Sequence, residues 1–190
     1  MMNTVPTTPQ QRMNAAFNNY FSLSRILQED MTALLDGESD TQQWRRNFIR
    51  ASASLIEGCA HCLRDICVIS FECEAPEIGK KEAEVLLSER NFDANERIKL
   101  TLRVAYKLFQ LEPAPNFGGN EWPRAQRVLR KRHLLMHPKT PADLEIPEEL
   151  WSEIRCDIAW LMEQLFSVFS LYEQKCDGIT KCISSNLAEH

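Results

Sequence analysis

The 190-residue sequence predicts an all-α fold, a bundle of five or six helices. Three observations lead there. Apolar residues recur at three- and four-residue steps over long stretches. No stretch alternates with the two-residue period of a half-buried strand, and no internal repeat is visible. Proline and glycine fall between the periodic stretches, with Gly58 the one flaw inside them.

Residues 1–9, with Pro6 and Pro9 among Thr and Asn, read as a flexible lead-in. From about Gln10, the residues Met13, Phe17, Tyr20, Phe21, Leu27, Met31, Leu34 and Leu35 form one face of a long helix that Asp36-Gly37 ends. A second long helix carries Trp44, Phe48, Ala51, Leu55, Cys59, Cys62, Leu63, Ile66 and Cys67, with Pro76 as its stop. A short helix is expected over Lys80 to Leu87. Asp93 or Asn95 then caps a helix bearing Ile98, Leu102, Ala105, Leu108 and Phe109. The prolines and glycines of 112–120 make a loop. Trp122 to His137 is helical between Pro123, suited to a first turn, and Pro138. Thr140-Pro141-Ala142-Asp143 reads as a cap and one short turn. Pro147 opens the last long helix, with Leu150, Ile154, Ile158, Leu161, Leu165, Val168 and Tyr172 on its face. The domain is expected to span 10–175, followed by a polar tail over 176–190.

Apolar residues make up 44% of the chain, enough for a core, and no apolar run approaches the length of a membrane span. The N-terminus lacks a basic segment followed by an apolar one, so no secretory signal is visible and a cytoplasmic protein is expected. In that reducing compartment the seven cysteines, an odd number, should be mostly free thiols.

The 22 Lys and Arg against 27 Asp and Glu give a net charge of −5, which speaks against a protein that coats nucleic acid indiscriminately. The charge is uneven, however. Glu121 to Lys139 holds Arg124, Arg127, Arg130, Lys131, Arg132 and Lys139 against one acid, a local +5 that leaves −10 on the rest of the chain. His133 and His137 lie in the same segment. Such a segment is either a solvated basic helix face or an anion site built for phosphates, where arginine supplies several donors and a permanent charge.

The order Arg132-His133-Leu134-Leu135-Met136-His137-Pro138 resembles the Arg–polar–x3–His signature of the HEPN superfamily, all-α proteins that include many metal-independent ribonucleases of toxin–antitoxin, phage-defence and RNA-processing systems. In that family the motif sits late in a small helical bundle, often with Pro after the His. The stretch Ser52-Ala53-Ser54-Leu55-Ile56-Glu57 is a second likeness, since several HEPN families carry a Ser-containing stretch ending in Ile-Glu there. The resemblance spans roughly 42–174. The usual second motif residue is Asn or Asp, and His133 stands in its place. The resemblance implies an RNA-cleaving homodimer with the two motifs facing across a cleft, and an antitoxin or nucleotidyltransferase as a companion protein.

The chemistry fits these residue types. RNA cleaves itself when a 2′-OH attacks the neighbouring phosphate, leaving a 2′,3′-cyclic phosphate and a 5′-OH. The protein supplies a proton acceptor or donor near neutrality and a cation on the phosphorane oxygens. Histidine, with an unperturbed pKa of about 6.5, suits the first task, and His137 is the candidate, with His133 in support. Arg132 suits the second. Arg124, Arg127, Arg130, Lys131 and Lys139 are the candidate RNA-binding cations. No metal and no cofactor are required. Five residues apart on an ideal helix is roughly 140° around the axis, so Arg132 and His137 do not share one regular helix face. Either the last turn before Pro138 unwinds, or a second copy brings its own motif alongside in a two-fold dimer, the commonest oligomer. A dimer would also double the local charge to about +10 and focus RNA into the cleft.

The other readings are weaker. His133 and His137 stand at the i, i+4 spacing of zinc helices, but position 134 is Leu where a Glu would follow, and the surrounding cations repel a metal ion. Cys59 and Cys62 form a lone pair without a second spaced pair, and with Cys67 they lie on the apolar stripe as core cysteines would. His61 falls off that stripe. Glu57 either orients Arg132 or another basic motif residue, as the resemblance to some HEPN proteins implies, or is a partly exposed helix glutamate. Trp44, Trp151 and Trp160 read as core or dimer-interface anchors, and Trp122 as either a base-stacking platform or an apolar staple. Beside the ribonuclease stand two alternatives: a HEPN-like module that binds RNA, a nucleotide or a protein without cleavage, and a helical protein whose basic helix meets another chain's acidic surface.

Overall fold

The computed structural model describes residues 8–37, 39–73, 78–88 and 93–188, with side chains as far as Gln174. The fold is an all-α bundle: α1 (Pro9–Asp36), α2 (Gln42–Glu72), α3 (Lys80–Leu87), α4 (Ala94–Leu108), α5 (Glu121–Met136) and α6 (Glu148–Ala188), with a 3₁₀ turn over Pro141–Leu144. Among the described residues there is no strand, and no helix is long and apolar enough to cross a membrane.

Local chemistry sets the helix ends. The Thr8 hydroxyl accepts from the Gln11 N–H at 3.2 Å while the Gln11 side chain accepts from the Thr8 N–H at 3.1 Å, a reciprocal cap that starts α1. Helix α1 therefore begins inside the segment expected to be a lead-in, whose residues 1–7 lie outside the described residues. Thr41 caps α2 through the Trp44 N–H at 3.2 Å, and Asp93 caps α4. Helix α2 stops at Glu72, ahead of Pro76, which lies outside the described residues. Helix α6 continues to Ala188, well beyond the start of the expected polar tail.

Helix α2 is the centre of the bundle and packs against all five other helices. It is buried nearly all round: Ile49, Ala53, Ile56, Cys59, Cys62, Leu63, Ile66 and Cys67 are closed to solvent. Gly58 permits the close crossing of α1. A Cβ there would lie 3.1 Å from Leu27 Cδ1 and 3.3 Å from Leu23 Cδ2. Trp44 and Trp151 meet edge to face with centroids 5.4 Å apart, and the Trp44 indole N–H donates to the Leu34 carbonyl at 2.9 Å. Both are core anchors, as one of their two expected roles has it.

The N-terminal half of α2 also holds the segment that follows α5, which has little backbone pairing of its own. The Gln42 amide exchanges two 2.9 Å hydrogen bonds with the Ile146 backbone. Buried Arg45 pairs with Asp40 and Glu148 and donates to the Ile146 carbonyl at 3.1 Å. Arg46 donates to the Leu144 carbonyl, and Arg50 reaches the Leu135 carbonyl at 2.9 Å. Unpaired buried carbonyls are costly, so this row of side chains fixes the chain on both sides of His137.

Candidate nucleic-acid interface

Helix α5 carries the basic segment, and its apolar face (Trp122, Ala125, Val128, Leu129, Leu135) turns inward. The cations leave this helix in different directions, and most have protein partners. Asp157 of α6 is almost fully buried; its Oδ1 lies 3.2 Å from Arg124 Nε and its Oδ2 3.1 Å from Arg127 Nη2. Arg127 also pairs with Glu153. Lys131 is buried and donates to the carbonyls of Asp143 at 2.9 Å and Glu145 at 2.7 Å. Burial pulls its pKa below the ordinary lysine value.

These contacts correct part of the expected RNA-binding set. Lys131 is a structural staple rather than a surface cation, because its ammonium is enclosed by the turn after α5. Arg124 and Arg127 are neutralised by α6 acids. Trp122 is 3% exposed, with Phe117 edge-on at 5.3 Å, which leaves no ring face for a base. Arg130 and Lys139 are exposed, and among the described residues neither side chain has an ion-pair partner. The Lys139 backbone N–H, with that of Thr140, donates to Asp143 at 2.9 Å, and these bonds hold the Asp143 carboxyl below the usual carboxylate range.

The motif residues themselves divide into two groups. Arg132 Nη2 lies 3.0 Å from Glu57 Oε2, each side chain being 30% exposed, so Glu57 on the central helix does meet the motif arginine. Together with Arg130, His133, Asp93 and Asn95 they line a cavity of about 370 Å³. The Asn95 side chain is buried there, and its Oδ1 has no hydrogen-bond partner. His137 does not line this cavity. It is the exposed cap of α5, with φ −132° and ψ 59°, and its N–H still donates to the His133 carbonyl at 3.0 Å. Its ring lies 5.2 Å from that of His133. The helix thus keeps its form through Met136, and only His137 leaves it. Leu134 and Met136 within the motif are 39% and 48% exposed.

The α2 thiols sit apart from this surface. Cys59, Cys62 and Cys67 are buried, and burial pushes the thiols of Cys59 and Cys67 up to about 12. His61 is exposed, with Nε2 3.6 Å from Asp65 Oδ2. Among the described residues, no three His, Cys, Asp or Glu side chains converge as metal ligands would.

The sequence reading missed Asp157 and Arg50, which hold α5 in place from outside. Asp157 carried a usable signal, because it falls beside Ile154, Ile158 and Leu161 on the apolar stripe of α6, where an acid needs a partner.

Compared with family models, curated proteins and solved structures, the chain finds no match. The class that stands on the structure is an all-α helical bundle with a partly exposed Arg–Glu pair and two adjoining histidines at one end.

Proposed function

We propose that the protein is a metal-independent endoribonuclease that acts through 2′-OH attack and works as a homodimer. The observation that carries this reading is the Glu57–Arg132 pair, a single Nη2–Oε2 contact at the wall of a cavity that Arg130 and His133 also line. In the proposed reaction the RNA 2′-oxygen forms a bond to phosphorus and the bond from phosphorus to the 5′-oxygen breaks. His137 takes the 2′-OH proton, the neighbouring His133 gives a proton to the departing 5′-oxygen, and Arg132 faces the phosphorane oxygens. Exposed Leu134 and Met136 lie between the motif's Arg and its final His and supply the apolar centre that a two-fold contact needs. A second copy would bring a second His137 toward the cavity that one chain leaves without it.

The test is incubation of RNA with pure protein in EDTA, with products resolved by their ends. Cleavage to 2′,3′-cyclic phosphates that disappears in Arg132→Ala and His137→Ala supports the reading. Intact RNA, or cleavage unchanged in both variants, overturns it, and binding without cleavage assigns the chain to a non-catalytic RNA-binding module. Light scattering at micromolar concentration should give twice the 22.0 kDa chain mass.

A further inference from the structure

A second, smaller cavity of about 200 Å³ lies between α2 and α4, lined by Glu57, Ala60, His61, Arg64, Ala94, Arg97, Ile98 and Thr101. It shares Glu57 and Ala94 with the cavity that holds Arg132. The two spaces therefore adjoin across the Glu57–Arg132 pair, and they differ in character. The larger sets Arg130, Arg132 and His133 beside the acids Glu57 and Asp93. The smaller has apolar walls from Ala60 and Ile98, both buried, and two half-buried arginines. Arg64 is fixed by its Nε–H, which donates to the Leu86 carbonyl at 2.7 Å. Thr101 is 1% exposed, and its hydroxyl is buried without a hydrogen-bond partner.

A buried hydroxyl with no partner is unfavourable unless something meets it. A helical threonine can satisfy its hydroxyl on a carbonyl one turn back; this one does not. A ligand with a hydrogen-bonding edge would supply what is missing, a small slot with apolar side chains on its wall suits a ring, and guanidinium planes stack on such rings. An anionic group attached to that ring would fall toward Arg130 and Arg132.

We propose that this slot is a nucleobase subsite, which reads the base of a nucleotide whose phosphate sits in the Arg132 cavity, with Thr101 as the residue that determines base preference. The inference rests on the ribonuclease reading for the phosphate's place, but its test does not depend on cleavage.

The probes are the four ribonucleoside 3′-monophosphates, titrated singly into the full chain by calorimetry, with inorganic phosphate as the control. The wild type should bind them with unequal affinities. Thr101→Val, which keeps the shape and removes the hydroxyl, should weaken the preferred nucleotide about fivefold and leave phosphate binding unchanged. Ala94→Phe, at the exposed first turn of α4 and at the wall common to both cavities, should weaken every nucleotide at least tenfold while circular dichroism shows the helix content intact. Equal affinities for all four nucleotides, no binding at millimolar concentration, or a preference unchanged in Thr101→Val would each overturn the slot. A protein that cleaves RNA yet shows no base-dependent binding loses the slot and keeps the ribonuclease reading. One that binds nucleotides through Thr101 without cleaving RNA keeps the slot and loses catalysis.

Discussion

Glu57 Oε2 stands 3.0 Å from Arg132 Nη2 and joins the centre of α2 to the last turns of α5, with both side chains still 30% exposed. A carboxylate in this position pairs with one nitrogen of the guanidinium without enclosing it.

The pair sets the aim of Arg132. Glu57→Gln keeps the shape but loses the charge, and RNA cleavage should fall roughly tenfold to a hundredfold in single-turnover rate. KM should change little, and Glu57→Asp should recover part of the rate. Equal loss in the Asp and Gln variants, together with a raised urea sensitivity, would reduce Glu57 to a structural residue.

Asp157, whose side chain is 3% exposed, pairs with Arg124 and Arg127, which reach it from the solvent side. Arg127→Ala leaves this buried carboxylate with one partner, and the fold should lose about 1–3 kcal/mol, read as a lower urea midpoint at unchanged slope. The double variant Arg127→Leu with Asp157→Leu should be closer to the wild type than the single one, because no charge is then stranded.

Few of the basic segment's charges are free to meet phosphate. If all six cations released counterions, the logarithm of single-stranded RNA affinity would fall with log salt at a slope of about −4 per chain. With only Arg130, Arg132 and Lys139 available, a slope of about −2 is expected by fluorescence anisotropy. The steeper value would mean that the pairs with α6 open on binding.

The buried thiols of Cys59 and Cys67, both held up at about 12, predict a pH response. A raised folded-state pKa means that the unfolded chain gives up these protons first. Their stabilising contribution is whole below about pH 8.5, the ordinary thiol value, and is lost as pH rises toward 12. The urea midpoint should drop between pH 8 and pH 10, and Cys67→Ala, referred to its own midpoint at pH 8, should drop less. In the native protein a thiol reagent should modify exposed Cys73 and Cys156 rapidly, and Cys59 and Cys67 only on unfolding.

Helix positions were legible in the sequence because they depend on local physics. The three-to-four-residue period, the caps at Asp93 and Thr140 and the stops at Gly37 and Pro138 all act within a turn or two of the residue concerned. The motif position at the end of α5 followed from the same signals. Which cations remain free did not, because a run of arginines states a charge and not what faces it. Lys131 illustrates the difference: it lies between Val128 and Leu135 on the inward side of α5, where a cation must find oxygen partners, and those partners come from a turn further along the chain. Thr101 was silent for a similar reason, since an unmet hydroxyl is visible only once its neighbours are in place.

The two arginines that grip Asp157 sit on successive turns of α5 and approach its carboxylate from Oδ1 and Oδ2 separately. Such a grip acts as a key in a slot: turning α6 about its own axis would pull one oxygen off its partner. The angular setting of α6 is thereby locked near its start, and a stiff rod carries that setting over the whole distance to Ala188. Which way the sides of its far end face is set in part by one aspartate many turns away.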